Sequence, residues 1–144
     1  MYDLMIIGSG PAGISAALTA KARNLNFIWF GSRALSTKIE KAEKIMNYPG
    51  LPAVTGSEMQ SVFLKQIDDC GITITESQVN SIYDCGGYFA AGADNEIYEA
   101  KAVIMTVGMT TTREIEGEAR LLGCGVSYCA TCDGALYKNK DIAV

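Results

Sequence analysis

The sequence predicts an α/β fold: a Rossmann-like, dinucleotide-binding domain on a parallel sheet, with an inserted antiparallel β-meander and the start of a second domain. Three observations predict it. A glycine-rich turn, Gly8-Ser9-Gly10-Pro11-Ala12-Gly13, stands between an apolar run and a helical pattern. The hydrophobic period then changes to two over residues 72–99. A continuous apolar run at 102–107 restores the parallel-sheet pattern ahead of a cysteine pair, Cys129 and Cys132.

The elements follow in order. Residues 2–7 contain Leu4, Met5, Ile6 and Ile7 without alternation, which suits a strand buried on both faces. Pro11 suits the first position of a helix. Ile14, Ala17, Leu18 and Ala22 mark its apolar face, and it ends near Arg23. Residues 26–30 read as the second strand, completing a βαβ start in about 30 residues, the size of a mononucleotide-binding unit. Residues 31–54 are less regular. The charged stretch 38–44 predicts a short helical turn, and Tyr48-Pro49-Gly50-Leu51 predicts a type II turn. Thr55 and Glu58 have capping-box spacing. Met59, Val62, Phe63, Ile67 and Cys70 recur at helical spacing until Gly71 ends the helix. Cys70 therefore reads as core, and Met5, Met59 and Met105 as packing.

Beyond Gly71, Ile72 and Ile74 alternate with Thr73 and Thr75. Strands at 78–84, 88–93 and 96–99 are separated by Cys85-Gly86-Gly87 and Asp94-Asn95, a meander pattern. The apolar strand 102–107 ends at Gly108. Residues 110–118 read as a connector, and 123–128 lead into the cysteine pair. Residues 141–144 read as the opening of a further strand with nothing after it, so a truncated chain is expected.

Composition narrows the function classes. Hydrophobic residues make up 49% and charged residues 19% of the 144, which fits a globular domain with a real core. The net charge of −4, with no dense Lys/Arg cluster, argues against nucleic acid as a partner. No apolar run approaches the roughly 20 residues that span a bilayer, and the start lacks a signal-peptide pattern. A soluble cytoplasmic protein is expected, with no membrane partner. There is no histidine, which removes Ser–His and Cys–His catalysis and most catalytic zinc sites. Five cysteines, an odd number, disfavour a disulfide scaffold and favour redox or metal use of a subset.

The glycine turn has its required context of strand before, helix after and second strand beyond. Gly8 permits the tight turn, Gly10 lets backbone approach a pyrophosphate, and Gly13 lets helix pack on strand. Ser9, Pro11 and Ala12 complete the phosphate-facing loop, whose helix N-terminus offers N–H groups and a positive dipole end. An acidic residue commonly ends the second strand and holds the adenosine ribose. Phe30-Gly31-Ser32 occupies that place here, so either backbone or Ser32 holds the ribose, or adenosine affinity is reduced.

For Cys129 and Cys132 three readings stand. Zinc wants a second cysteine pair or histidines, and neither is present. Two structural thiols would be buried, yet Tyr128-Cys129-Ala130-Thr131-Cys132-Asp133-Gly134 is poor core sequence. A redox dithiol is favoured. A thiol of pKa ~8.5 is only about 3% ionised at pH 7, whereas one lowered to ~7 by a helix N-terminus is about half ionised. Asp133 can move a proton or complement that dipole. A dinucleotide site and a dithiol in one chain suggest a flavoprotein that passes electrons to sulfur.

The segment from Gly123-Cys124-Gly125-Val126-Ser127-Tyr128 through the cysteine pair to Asp133-Gly134 resembles the active-site segment of bacterial-type, low-molecular-weight thioredoxin reductases. The glycine turn, Asn47-Tyr48-Pro49-Gly50 and Gly117-Glu118 resemble that family's other landmarks in the same order. The resemblance implies a homodimeric FAD enzyme acting on a thioredoxin-like protein. Residues 1–112 would form the N-terminal part of the FAD-binding domain. Residues 113–144 would be the connector and start of the redox, pyridine-nucleotide domain. It implies Cys132 as the flavin-facing thiol, Cys129 as the interchange thiol and Asp133 as acid/base. Asn47 would lie near the flavin, and Val79 and Gly108 would help enclose the cofactor by backbone contact, beside Phe30 and Gly31. The family usually carries Gly-Gly-Gln after the second strand, where this chain has Arg33-Ala34-Leu35-Ser36-Thr37-Lys38. With the missing acid, this resembles a clostridial-type branch that takes electrons from ferredoxin instead of NADPH. The donor is therefore NADPH or ferredoxin. Rival readings are a peroxiredoxin-reducing flavoprotein, a non-catalytic flavin-binding fragment and a small structural zinc module.

Overall fold

The computed structural model describes residues 1–109, 116–121, 124–127 and 134–143. The elements run β1 (Tyr2–Ile7), α1 (Pro11–Ala22), β2 (Phe27–Phe30), α2 (Thr37–Glu40), α3 (Gly56–Asp69), β3 (Val79–Asp84), β4 (Phe89–Ala93), β5 (Glu96–Met105), α4 (Glu118–Leu121) and a 3-10 turn at Gly134–Tyr137. The chain forms two units, Met1–Thr37 with Gln60–Met109, and Lys38–Met59 with Thr110–Val144.

The first unit holds a five-stranded sheet in the order β2-β1-β5-β4-β3. β1 pairs in parallel with β2, Leu4 opposite Phe27 through Ile7 opposite Phe30, and with β5, Tyr2 opposite Ala100 through Ile7 opposite Met105. β5, β4 and β3 are antiparallel and form the expected meander. The sequence predicts separate strands at 96–99 and 102–107, whereas β5 is one strand doing both jobs. Nothing between them breaks a strand. Ala100, fully buried, pairs with Phe89 on one side and Tyr2 on the other.

Both faces of β1 are covered, as its unbroken apolar run predicts. Met5 and Ile7, with Ile28 and Phe30 of β2, pack against Ala91, Ala93 and Ala100 of the meander. The Tyr98 ring meets Phe30 edge-on at 5.0 Å between centroids. By strand alternation Leu4, Ile6 and Trp29 face the other side, and α1 packs on β1 and β5. Its buried residues are Gly13, Ile14, Ala17 and Ala20. Ala22 is exposed and Leu18 half-buried, contrary to the expected face, because the small residues Gly13, Ala17 and Ala20 set where the helix approaches most closely. Beyond β2, only Thr75 of the alternating segment 72–75 joins the sheet, through a parallel bridge to Phe30. Ile72 and Ile74 are nevertheless buried.

α3 begins with the expected capping box. The Thr55 N–H donates to Glu58 Oε2 at 2.8 Å, and the Glu58 N–H donates to Thr55 Oγ1 at 3.2 Å. It ends in a Schellman motif, with Ile72 N–H on Ile67 O at 3.1 Å and Gly71 at φ +60°. Met59, Phe63 and Ile67 are buried at a spacing of four, which leaves Val62 and Cys70 exposed. The readings of these two as core are therefore corrected: Val62 lies off that stripe, and Cys70 falls just past the last helical residue, Asp69. Met105, read as packing, is 61% exposed at the end of β5.

In the second unit Ile45 and Val54 exchange both backbone hydrogen bonds, at 2.7 and 3.3 Å. Within the loop they close, Leu51 N–H donates to Tyr48 O at 3.2 Å and Gly50 takes φ +81°, the predicted type II turn. The charged stretch forms helix only over α2. Residues 141–143 carry no regular structure, so the strand expected there is not formed, and Ile142 is exposed. Among the described residues no helix is long and apolar enough to cross a membrane.

Candidate functional site

The glycine turn between β1 and α1 is built from backbone, and each glycine has a different reason to be one. Gly8 takes φ +112°, and a Cβ there would run into the Thr106 carbonyl oxygen. A Cβ on Gly13 would run into the Gly8 carbonyl oxygen. Gly10 is different: a Cβ there meets nothing within 4 Å. Two glycines let β1, α1 and the end of β5 touch, and the third leaves an open approach to the backbone.

That approach suits an anion. Gly10 is the N-cap of α1 in extended conformation, no side chain caps the helix, and its first turn holds no acidic residue. Pro11 occupies the first helical position. The leading N–H groups of a helix have no intrahelical acceptor, and the dipole presents its positive end there. A phosphate-bearing group fits such a place, and the open space over Gly10 gives it room.

Two residues that the sequence reading passed over hold the turn. The Trp29 indole N–H donates to Gly8 O at 2.8 Å. Thr106 Oγ1 lies 2.9 Å from Ile7 O and 3.1 Å from Gly8 O, while the Thr106 N–H donates to Ile7 O at 2.7 Å. The available signals were a tryptophan in an otherwise aliphatic and phenylalanine-rich strand, and a hydroxyl near the end of an apolar one.

Ser9 is buried and joins this turn to the one after β2. Its Oγ accepts the Ser32 N–H at 3.0 Å and donates to Leu35 O at 3.2 Å. Gly31 lies so close that a Cβ there would sit 2.5 Å from Ser9 Cβ. Phe30 turns its ring into the core, while its carbonyl accepts the Gly8 N–H at 2.8 Å. Arg33 is exposed and its guanidinium makes a two-pronged bond to Asp68, which raises the Arg33 pKa above its ordinary value.

The structure thus gathers Gly8, Ser9, Gly10, Pro11, Ala12, Gly13, Phe30 and Gly31 at the carboxyl ends of β1 and β2, where ligands bind in open α/β sheets. Gly108 follows β5 at φ +68° with open space where a Cβ would be. Val79 opens β3 and packs against the core cluster holding Ile7 and Phe30. Asn47 belongs to the second unit and is exposed in the loop between Ile45 and Val54. Cys129, Cys132 and Asp133 lie outside the described residues. Cys70, Cys85 and Cys124 are free, exposed thiols.

Residues 2–144 match the profile of the family described as Pyridine nucleotide-disulphide oxidoreductase. The thioredoxin reductase of Bacillus subtilis is 32% identical over 145 residues, taking in 100% of this chain and 46% of that protein. A ferredoxin-flavin thioredoxin reductase from Clostridium acetobutylicum is similar in structure, with a TM-score of 0.74 at 47% identity over 94% of this chain and 48% of that one. The thioredoxin reductase of Streptococcus pyogenes gives a TM-score of 0.82 at 35% identity over 95% and 45%. The chain spans about half the length of the curated relatives it matches, 46% for the Bacillus subtilis protein.

Proposed function

The chain belongs to the pyridine nucleotide-disulphide oxidoreductase family, and from that premise we propose that it is the flavin-holding and dithiol-bearing part of a thioredoxin-reductase-type enzyme. The observation that carries this reading is the glycine turn: unobstructed at Gly10, uncapped at α1, and locked from behind by Trp29 and Thr106.

On this reading Gly8, Ser9, Gly10, Pro11, Ala12 and Gly13 hold the FAD pyrophosphate, and Phe30 and Gly31 lie on its adenosine side. Asn47, Val79 and Gly108 add further contacts. Residues 1–112 hold the cofactor, and 113–144 begin the part that carries Cys129 and Cys132. When bound and reduced by two electrons from the donor, the flavin would supply the electron pair that opens the Cys129–Cys132 disulfide to a dithiol. The Cys129 thiolate attacks the disulfide of a thioredoxin-like partner and displaces one partner thiolate, forming a mixed disulfide. The Cys132 thiolate then attacks Cys129, releases the second partner thiolate and restores the Cys129–Cys132 disulfide. Asp133 passes protons to the departing sulfurs. The intact enzyme is a cytoplasmic homodimer.

Ferredoxin is the favoured donor over NADPH. Identity to the ferredoxin-flavin thioredoxin reductase is 47%, against 35% and 32% for the two thioredoxin reductases.

The test uses the intact protein. It is expected to purify with flavin absorbance and to reduce a thioredoxin-type disulfide with reduced ferredoxin. Cys129→Ser and Cys132→Ser are each expected to keep the flavin and lose disulfide reduction. Turnover surviving in both variants would overturn the dithiol assignment, and efficient turnover with NADPH would overturn the donor.

A further inference from the structure

Just beyond β2 the chain turns through Ser32 and Arg33, and a carboxylate reaches this turn from elsewhere in the sequence. Glu76 Oε2 accepts the Arg33 backbone N–H at 3.2 Å and the Ser32 hydroxyl at 3.4 Å. Its neighbour Thr75 is tied to β2 from both sides. The Thr75 N–H donates to Trp29 O at 2.7 Å, and the Gly31 N–H donates to Thr75 O at 3.1 Å. Glu76 is therefore held in register with the carboxyl end of β2, one residue past the bridge.

In a doubly wound sheet the carboxylate that binds the adenosine ribose stands at this end of the second strand, about 20 residues past the glycine turn. Phe30-Gly31-Ser32 carries no acid there. We infer that Glu76, delivered by the neighbouring segment, is the ribose-binding carboxylate of this chain and holds an adenosine whose 2′-hydroxyl is free. The inference rests on the FAD reading above and adds to it the residue that recognises the adenosine half.

Three observations carry it. Both hydrogen bonds to Glu76 go to Oε2, and the residue is exposed, so Oε1 is open to a ligand hydroxyl. The carboxylate is wired to the glycine turn, since the Ser32 hydroxyl that meets Glu76 belongs to the residue whose N–H donates to Ser9 Oγ. Lastly, the adjacent cation that would welcome a 2′-phosphate is committed elsewhere. Arg33 Nη1 and Nη2 both reach Asp68 Oδ1 at 3.1 Å, and Nη2 reaches Oδ2 at 3.0 Å. A 2′-phosphate would face two carboxylates there, whereas a hydroxyl donates to one.

The experiment strips the intact protein of flavin and titrates it calorimetrically with FAD and with the FAD analogue carrying 2′-deoxyadenosine. The wild-type protein is expected to bind the deoxy analogue roughly tenfold or more weakly than FAD, the loss of one hydrogen bond to a charged group. Glu76→Gln is expected to bind FAD about as weakly as wild type binds the analogue, and to bind both ligands nearly equally. If Glu76→Gln still discriminates between them as wild type does, Glu76 only shapes the turn and the inference fails while the flavin reading stands. A wild-type protein that binds FAD and its deoxy analogue equally also overturns the inference alone. A wild-type protein that binds neither overturns the flavin reading itself.

Discussion

The indole N–H of Trp29 donates to the carbonyl oxygen of Gly8 at 2.8 Å from a side chain that is 1% exposed. This bond fixes the peptide that the chain must present where β1 hands over to α1. Trp29→Phe keeps an aromatic ring but removes the donor, leaving Thr106 Oγ1 at 3.1 Å to serve Gly8 O as well as Ile7 O. A half-buried carbonyl that loses one of its two partners costs about 1 kcal/mol. The urea midpoint of the intact protein is expected to fall accordingly, with weaker retention of flavin. An unchanged midpoint would mean that Thr106 alone holds the turn.

Gly10 and Gly13 are expected to respond oppositely to alanine. At Gly13 the added methyl would enter the Gly8 carbonyl and crowd Thr106 Oγ1 at 2.8 Å, so α1 must move off β1. Loss of the folded state, read by circular dichroism, is the expected result. At Gly10 the methyl meets nothing and φ is −73°, so Gly10→Ala is expected to melt within about a degree or two of wild type. It should nevertheless bind FAD roughly tenfold more weakly, about 1.4 kcal/mol, because the methyl stands where the pyrophosphate would approach. Undiminished FAD affinity in Gly10→Ala would count against this turn as the phosphate site.

The glycine turn, the capping box at Thr55 and Glu58 and the type II turn at Tyr48 were legible because each is a local rule: the residues that set the geometry are neighbours in sequence. The core role assigned to Ala22 and Val62 was not. Which stripe of an amphipathic helix is buried depends on what it packs against, and spacing alone does not supply the partner. The continuity of β5 was hidden for a related reason, since Ala100 looks like a pause between two strands until its partners Phe89 and Tyr2 are known. Trp29, Thr106 and Glu76 were missed because their bonds run to Gly8, Ile7 and Arg33, over 21 to 99 positions of chain.

The capping box should give α3 a pH-dependent start. The Thr55 backbone N–H and hydroxyl both donate to the Glu58 carboxylate and hold its pKa below the ordinary value of 4.5. A depressed carboxylate pKa stabilises the folded state above the unfolded pKa, and this contribution is lost as pH falls through the folded pKa. Glu58→Gln keeps an acceptor without the charge. Its melting temperature is expected to lie slightly below wild type at pH 7, and the gap should close below the folded pKa, under 4.5. A gap that persists in acid would mean that shape, not ionisation, separates the two side chains. Thr55→Ala removes the reciprocal bond and is expected to cost about 1 kcal/mol at pH 7.

Ala100 and Lys101 are neighbours on β5 with opposite expected sensitivities. Ala100 is fully buried between Tyr2 and Phe89, and its side chain lies in the cluster formed by Met5, Ile7, Ile28 and Phe30. Ala100→Leu adds volume where the parallel sheet and the meander meet, and overpacking of this kind costs about 1–3 kcal/mol. Lys101 makes a short ion pair with Asp3 at 2.6 Å, yet its side chain is 60% exposed. Solvent and salt screen such a pair, and ordering two side chains offsets what remains. Lys101→Gln is therefore expected to leave the urea midpoint nearly unchanged at 0.15 M salt, whereas Ala100→Leu lowers it. The opposite ranking would mean that the strand is held at its edge by charge and not by the packing that lets one strand serve two sheet geometries.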